Sequence, residues 1–450
     1  VVVGAGPAGI RAVEQLVGAG LAPIWIEESP DGGGRITQRP PPGFARGARA
    51  LYGADAGRAV RLHATLDALK ARCDWRPDTL VWNIRPRDGV LHTLQAGARQ
   101  AEQRYDALML CTGAMDRVVP VPGWTLPGVT TLGGAQVALK TQGVAIGARP
   151  VLMGTGPLLW LTALQYAKAG AKPALVLDTT SAVTKLRAAP GLLGNLPTML
   201  RGIGLNLGLR LRGVPMAEGA TPLAIEGEDA VAALRWRDAG GREHVTPCDA
   251  VGMGWGLKPE AQLADLAGLP FDFDAAQTNW APRRDAAGRA PVERIYLAGD
   301  GAGIGGVEVA ELAGARAALA LLEDHARPVD AALVARLDAR LLAEARFRIA
   351  LEGAFPYPVQ LAAAMPDATL LCRCEAVTAG ELRAAAAADA PEMNRAKAFS
   401  RVGMGRCQGR LCGPPAAAVL AAALGVELAA VGRLRGQPPV KPIPVQQVAP

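Results

Sequence analysis

Four histidines in 450 residues leave little of the material from which acid–base catalysts are built. His63, His92, His244 and His325 are scattered, without an HExxH helix or any triad order. Each is expected to be a satisfied core or surface side chain. Long apolar runs are missing as well. The Ala/Leu-rich stretches 309–322 and 416–430 are broken by Glu, Arg or Gly, so they read as core helices and no transmembrane segment is expected. The chain opens VVV without a methionine, which is no signal peptide and reads as a first strand whose leading residues precede this numbering. A cytoplasmic location is the expectation.

The formal net charge is +7, and its distribution argues against nucleic acid. From Asn394 onward there are eight Lys or Arg and one acid, Glu427, so that end alone carries the surplus. No aromatic platform is interleaved with it. A basic patch can equally steer an acidic partner, and this end is a candidate docking face. The length predicts two or three domains. Cysteines fall into two classes: Cys73, Cys111 and Cys248 are scattered thiols, whereas Cys372, Cys374, Cys407 and Cys412 are clustered. In a cytosolic chain such a cluster points to metal rather than disulfides.

The chemistry lies in glycine turns. VVVGAGPAG enters a turn, Gly4-x-Gly6-x-x-Gly9, with Pro7 and Ala8 inside it, and opens a helix marked by Ile10, Val13, Leu16 and Val17. The first glycine permits the tight turn, the second lets backbone approach a pyrophosphate, and the third packs helix on strand. The helix start then meets phosphate with free N–H groups. Glu27 ends the next strand, where a carboxylate accepts from ribose hydroxyls. Far downstream, IYLAGDGAG places Gly299 and Asp300 at another strand-to-helix turn, where the aspartate can hydrogen-bond the ribityl or phosphate end of a flavin, or cap the helix; NAD needs no such segment. A second strand–turn–helix unit, Gly154-x-Gly156-x-x-Leu159 with Asp178 ending its next strand, lacks the third glycine. It is read as binding NAD(P)H, another adenine nucleotide such as ATP, or nothing. Cys372-x-Cys374 and Cys407-x4-Cys412 offer four thiolates for an iron–sulfur cluster or zinc, and Arg373, Arg401, Arg406 and Arg410 could offset an anionic cluster.

VVVGAGPAG, YDALMLCTG and IYLAGDGAG resemble the pyridine nucleotide-disulfide oxidoreductase superfamily in its two-dinucleotide-domain form. The resemblance implies FAD held by Gly4, Gly6, Gly9, Glu27 and Asp300, with Gly34, Arg35, Thr112 and Gly113 near it. The redox cysteine pair of the disulfide reductases is absent, which disfavours thiol–disulfide chemistry. CxC with a distant second pair is similar to bacterioferritin-associated-ferredoxin-like [2Fe-2S] domains. Fused behind such a flavoprotein, LCRCEAVTAGEL with RVGMGRCQGRLCGP resembles the α (A) subunits of heteromeric FAD-dependent amine dehydrogenases, which include opine oxidases, D-hydroxyproline dehydrogenases and hydrogen cyanide synthase. This likeness covers nearly the whole chain, departing at Leu159 and at Arg35, where related chains often carry Gln. It implies that the partner is a glycine-oxidase-like FAD-containing catalytic β subunit; a small ferredoxin-like subunit is a further candidate.

The expected fold class is α/β: two Rossmann-like, glutathione-reductase-like dinucleotide-binding domains plus a small, mainly helical iron–sulfur domain. The expected boundaries are 1–118 and 283–325 for the FAD domain, 119–282 for the second nucleotide domain, 326–365 for a helical linker, 366–432 for the cluster domain and 433–450 for a Pro-rich tail. The expected function is electron transfer from the catalytic partner to an acceptor such as a quinone. The rivals are a self-sufficient NAD(P)H-dependent reductase and a non-redox zinc-containing scaffold.

Overall fold

Apolar strands suit sheets covered on both faces, and such strands form the centres of two parallel sheets here, with more polar strands at the edges. A computed structural model describes residues 1–445 apart from Pro42 and Ala45; the expected tail thus lies, from residue 446, outside the described residues. The first sheet orders its strands Ile295–Leu297, Leu108–Leu110, Val2–Val3, Ile24–Ile26 and Asp74–Arg76, all parallel. A strand from late in the chain therefore completes the sheet begun at Val2. Helix Pro7–Gly18 buries Ile10, Val13, Leu16 and Val17 at helical spacing. It packs on helix Val307–Asp324 closely enough that a Cβ on Gly314 would lie 2.0 Å from the carbonyl oxygen of Ala8.

The second sheet repeats the plan, with strands Met216–Glu218, Leu175–Asp178, Pro150–Thr155, Ala250–Trp255 and Val129–Thr131 in that order, all parallel. Each sheet carries an antiparallel three-stranded appendage, Thr79–Arg85, Val90–Gln95 and Arg99–Arg104 in one case and Thr221–Glu226, Ala233–Arg237 and Glu243–Pro247 in the other. The chain crosses between the two units twice, by strands Ala114–Asp116 and Leu257–Pro259. These pair antiparallel, with Asp116 opposite Leu257.

The Gly/Leu-rich stretch after Asp178 folds as helices Ala182–Leu192 and Leu196–Arg210. Helix Ala331–Ala354 lies against the first of them, and a Cβ on Gly191 would come 2.6 Å from that of Ala350. The cysteine segment has its own core, in which Leu371, Leu382, Met393, Val402 and Val419 are fully buried. Its helix Ala379–Ala387 starts with a capping box: Thr378 Oγ1 accepts from Glu381 N at 3.2 Å, and the Glu381 carboxylate accepts from Thr378 N at 2.7 Å. Among the described residues, no helix is long and apolar enough to cross a membrane.

Candidate functional site

The N-terminal turn is steric in origin. Gly4 has φ +102°, and a Cβ there would sit 2.3 Å from the carbonyl oxygen of Cys111 on the neighbouring strand. A Cβ on Gly9 would sit 1.9 Å from the carbonyl oxygen of Gly4. Only hydrogen fits at both places. Gly6 is the N-cap of helix Pro7–Gly18, Pro7 occupies the first turn, and no side chain caps that helix. Its N–H groups are thereby left for an anionic oxygen. The loop after Asp31 closes over the turn: Gly33 N donates to the Ala5 carbonyl at 2.7 Å, and Gly34 abuts Gly6. Arg35, next in the loop, is exposed.

Glu27 stands at the rim of this turn. Its carboxylate accepts from Ala5 N at 2.7 Å and Ser29 N at 2.9 Å. Burial pushes its pKa above the usual carboxylate range, and those two donors pull it back. Asp300 Oδ1 accepts from Gly305 N at 2.8 Å and Gly306 N at 2.9 Å, so it shapes the turn that launches helix Val307–Asp324. That helix also starts without a side-chain cap. The two distant segments meet: a Cβ on Gly299 would lie 2.8 Å from that of Ala8, and one on Gly301 would lie 2.4 Å from Thr112 Oγ1. Two uncapped helix starts, a ribose-reaching carboxylate and a glycine-lined contact between them fit FAD. Gly4, Gly6, Gly9, Glu27 and Asp300 would hold it, with Pro7, Ala8, Gly34, Thr112, Gly113 and Gly299 shaping the walls.

The second turn is built differently. Gly154 is held by the adjacent strand, since a Cβ there would lie 1.7 Å from the Gly254 carbonyl oxygen, while Gly156 faces open space. Leu159 is fully buried among Leu152, Ala163 and Val176. Asp178 is 1% exposed and ion-paired to Lys185 at 2.7 Å, and it also accepts from Thr155 Oγ1 at 3.0 Å and Thr180 N at 2.9 Å. Lys185 lies over the rings of Trp160 and Phe355, at 4.9 and 5.8 Å from their centres. The carboxylate that a nucleotide ribose would need is engaged inside the protein.

The four clustered cysteines come together as a chain of thiols, Cys372 to Cys412 to Cys407 to Cys374. The hydrogen bond from Cys412 brings the Cys372 thiol down to about 6, and the same donor brings Cys407 down to about 5. The donors move the other way, Cys412 pushed well up by its bonds to Cys372 and Cys407 and Cys374 up by burial; burial likewise pushes the isolated Cys73 and Cys248 up to about 11 and Cys111 to about 12. Thiolates are the form that ligates iron. Four thiols linked in this way are the donor set that an iron–sulfur cluster requires.

Half of the basic residues after Asn394 are paired internally. Arg401 pairs with Glu375 at 2.8 Å, Arg410 with Glu260 at 2.7 Å and Arg433 with Asp265 at 2.7 Å, while Lys441 pairs with Glu28. Arg373 lies over the Trp124 ring, 5.7 Å from its centre. The Arg410 contact joins the two cofactor sites, because Glu260 N donates to the Gly113 carbonyl at 2.9 Å and its own carbonyl accepts from Thr112 Oγ1. Between them lies a cavity of about 120 Å³ bordered by Lys258, Asn279, Trp280, Gln408 and Arg410. Buried Asn279 Nδ2, Gln262 Oε1 and Gln408 Oε1 at its wall have no partner among the described residues. Nor has Lys258 an ion-pair partner there; burial pushes its ammonium below the usual lysine range, against the pull of Glu260 and Cys412. Sequence reasoning passed over Lys258, whose only signal was a lone lysine just after the apolar strand Ala250–Trp255.

The model of the pyridine nucleotide-disulphide oxidoreductase family matches residues 1–322, and that of the BFD-like [2Fe-2S] binding domain matches 370–422. The A subunit of opine oxidase from Rhizobium meliloti (strain 1021) is 36% identical over 460 residues, covering 100% of this chain and 98% of the relative. Hydrogen cyanide synthase subunit HcnB of Pseudomonas aeruginosa is 32% identical over 463 residues, covering 99% of this chain and 97% of its own. Among solved structures, L-proline dehydrogenase from P. horikoshii superposes with a TM-score of 0.71 at 17% identity, over 99% of this chain and 78% of that one. T. acidophilum thioredoxin reductase superposes with a TM-score of 0.53 at 17% identity, over 72% of this chain and 97% of that one. Both structural likenesses speak to the fold alone.

Proposed function

This chain belongs to the pyridine nucleotide-disulphide oxidoreductase family, and from that premise we propose that it is the electron-transfer subunit of a heteromeric amino-acid or opine dehydrogenase. It is an oxidoreductase with FAD and a [2Fe-2S] cluster as cofactors. In the proposed cycle a glycine-oxidase-like subunit oxidises the amine, and this chain passes the electrons to an acceptor such as a quinone. When bound, the flavin accepts electrons in pairs and the cluster hands them on singly.

The observation that carries this reading is the bridge from Arg410 to Glu260. The loop bearing two cluster cysteines is ion-paired to the residue that holds Thr112 and Gly113. The scatter of the four histidines, His63, His92, His244 and His325, supports it further. Glu27 would anchor the ribose, the uncapped helix starts the diphosphate, and the Arg410–Glu260 pair the distance between cofactor sites.

Mixing this holoprotein with the reduced catalytic subunit in a stopped-flow cell tests the proposal. Flavin bleaching followed by loss of the cluster's visible absorption is expected. Rapid amine oxidation by this chain alone would defeat it. Cys407→Ser should remove the cluster absorption and leave FAD bound; loss of both together would show that the two sites do not form separately.

A further inference from the structure

Of the large apolar side chains that stand exposed on this molecule, nearly half lie between Val183 and Leu211. Leu196, Leu200, Ile203, Leu207 and Leu211 recur every three or four residues, which places them on one face of helix Leu196–Arg210 and its C-cap. Each is about half exposed or more, up to 77% at Leu211. The opposite face is already satisfied, with Leu205 and Leu209 packed against the second nucleotide domain. Leu186, on the preceding helix, is 74% exposed, and Leu193, in the turn between the two, is 61% exposed. The neighbouring helix Ala331–Ala354 adds exposed Leu342 and Ile349. Single exposed leucines need no explanation, but an apolar face of this extent does.

The charge that these two helices themselves carry has one sign. From Thr179 to Ala217 the chain carries five Lys or Arg and no acid. Lys185 is consumed by Asp178 and Glu218, Arg201 reaches Asp55 at 3.3 Å and Arg210 reaches Glu218 at 3.3 Å. Arg187 and Arg212 have no acidic partner among the described residues, and both are exposed. An apolar centre with an arginine rim is the composition of a protein interface, in which arginine is enriched. A membrane-surface helix would instead be expected to carry aromatic anchors, and the same segment contains no Phe, Tyr or Trp.

We propose that the exposed face of helices Ala182–Leu192 and Leu196–Arg210 is the docking surface for the catalytic partner subunit. The partner must present an apolar groove edged with carboxylates. The inference rests on the functional reading above, since it requires a heteromer. This face differs from the basic C-terminal end, where Arg401, Arg410, Arg433 and Lys441 are paired within the chain.

The test co-expresses the glycine-oxidase-like subunit with the full holoprotein and measures their affinity by titration. Leu200→Glu/Ile203→Glu is compared with wild type, and retained flavin and cluster absorption shows that the variant is folded. At least a hundredfold weaker binding is expected for that variant. Arg187→Glu/Arg212→Glu should bind more weakly as well and lose part of the wild-type salt dependence. Unchanged affinity in both variants would overturn the inference while leaving the functional reading intact. Absence of any wild-type complex would overturn both. The chain is also spun with 7:3 phosphatidylcholine/phosphatidylglycerol vesicles and sized alone by light scattering. Sedimentation or self-association that the leucine substitutions abolish would assign the face to a membrane or to a second copy, against the proposal.

Discussion

The two glycine turns share a strand, a bend and a helix opened by proline, yet they are put to different use. Both helix starts lack a side-chain cap; in the first, Gly9 has no room for a side chain and Glu27 sits at the rim. In the second, Leu159 fills the core beneath the turn and Asp178 is locked to Lys185 and Thr155. The difference lies less in the glycines than in the acid that follows them. A carboxylate held by backbone amides remains able to accept from a sugar, whereas a buried one paired to a lysine does not.

The strongest way to break this comparison is Gly9→Ala. A methyl group 1.9 Å from the Gly4 carbonyl cannot be absorbed by a rotamer change. The cost should exceed the ~1–3 kcal/mol of ordinary overpacking, with loss of flavin. Flavin absorbance per chain reads it, and a full complement of FAD would show that the turn does not hold the diphosphate.

Lys185→Ala probes the other side. It leaves Asp178 buried and unpaired, at a cost of about 3–5 kcal/mol in urea unfolding, while the FAD content should stay unchanged. Wild-type stability in this variant would mean that Asp178 is protonated or solvated, and that the second cleft is more open than its contacts indicate.

A smaller effect is expected at the seam between the cofactor sites. Lys258 carries the charge left over once Arg410 and Glu260 have paired. Lys258→Met should lower the reduced-to-oxidised ratio of the cluster about tenfold at a fixed potential, a shift of about 59 mV for one electron, and Lys258→Arg should restore it. An electron-paramagnetic-resonance titration measures this; an unmoved midpoint would remove Lys258 from the electrostatics of the cluster. The smallest effect is none at all. Anaerobic NADH should not bleach the flavin, because the second cleft offers no free carboxylate, and rapid bleaching would erase the distinction between the turns.

Much of this was legible in the residues. Both glycine motifs, the acid after each and the paired cysteines are local signals, and the α/β fold class follows from them. What stayed hidden depended on contacts between segments. Lys185 is seven residues past Asp178, but only the backward lie of helix Ala182–Leu192 brings its ammonium to that carboxylate. The many glycines and leucines of residues 182–210 blur any polar face by which two helices could be recognised, so the exposed apolar surface was missed too. The basic count after Asn394 hid the pairing of half its members because the acids lie far off in sequence, Glu260 for Arg410, Asp265 for Arg433 and Glu28 for Lys441. Charge totals do not record who is paired with whom.

The paired crossing strands have a further consequence. With Asp116 beside Leu257, the second nucleotide domain enters and leaves the chain at one point, like a drawer set into a cabinet. In covalent terms a short turn could replace it. In packing terms it could not, because Trp124 Nε1 donates to Leu370 at 2.6 Å and Tyr357 donates to Val118 at 3.2 Å. The cluster segment and the helical stretch before it are nailed to the drawer as well as to the cabinet. A domain able to lose its nucleotide would then persist as the bracket that keeps iron near flavin.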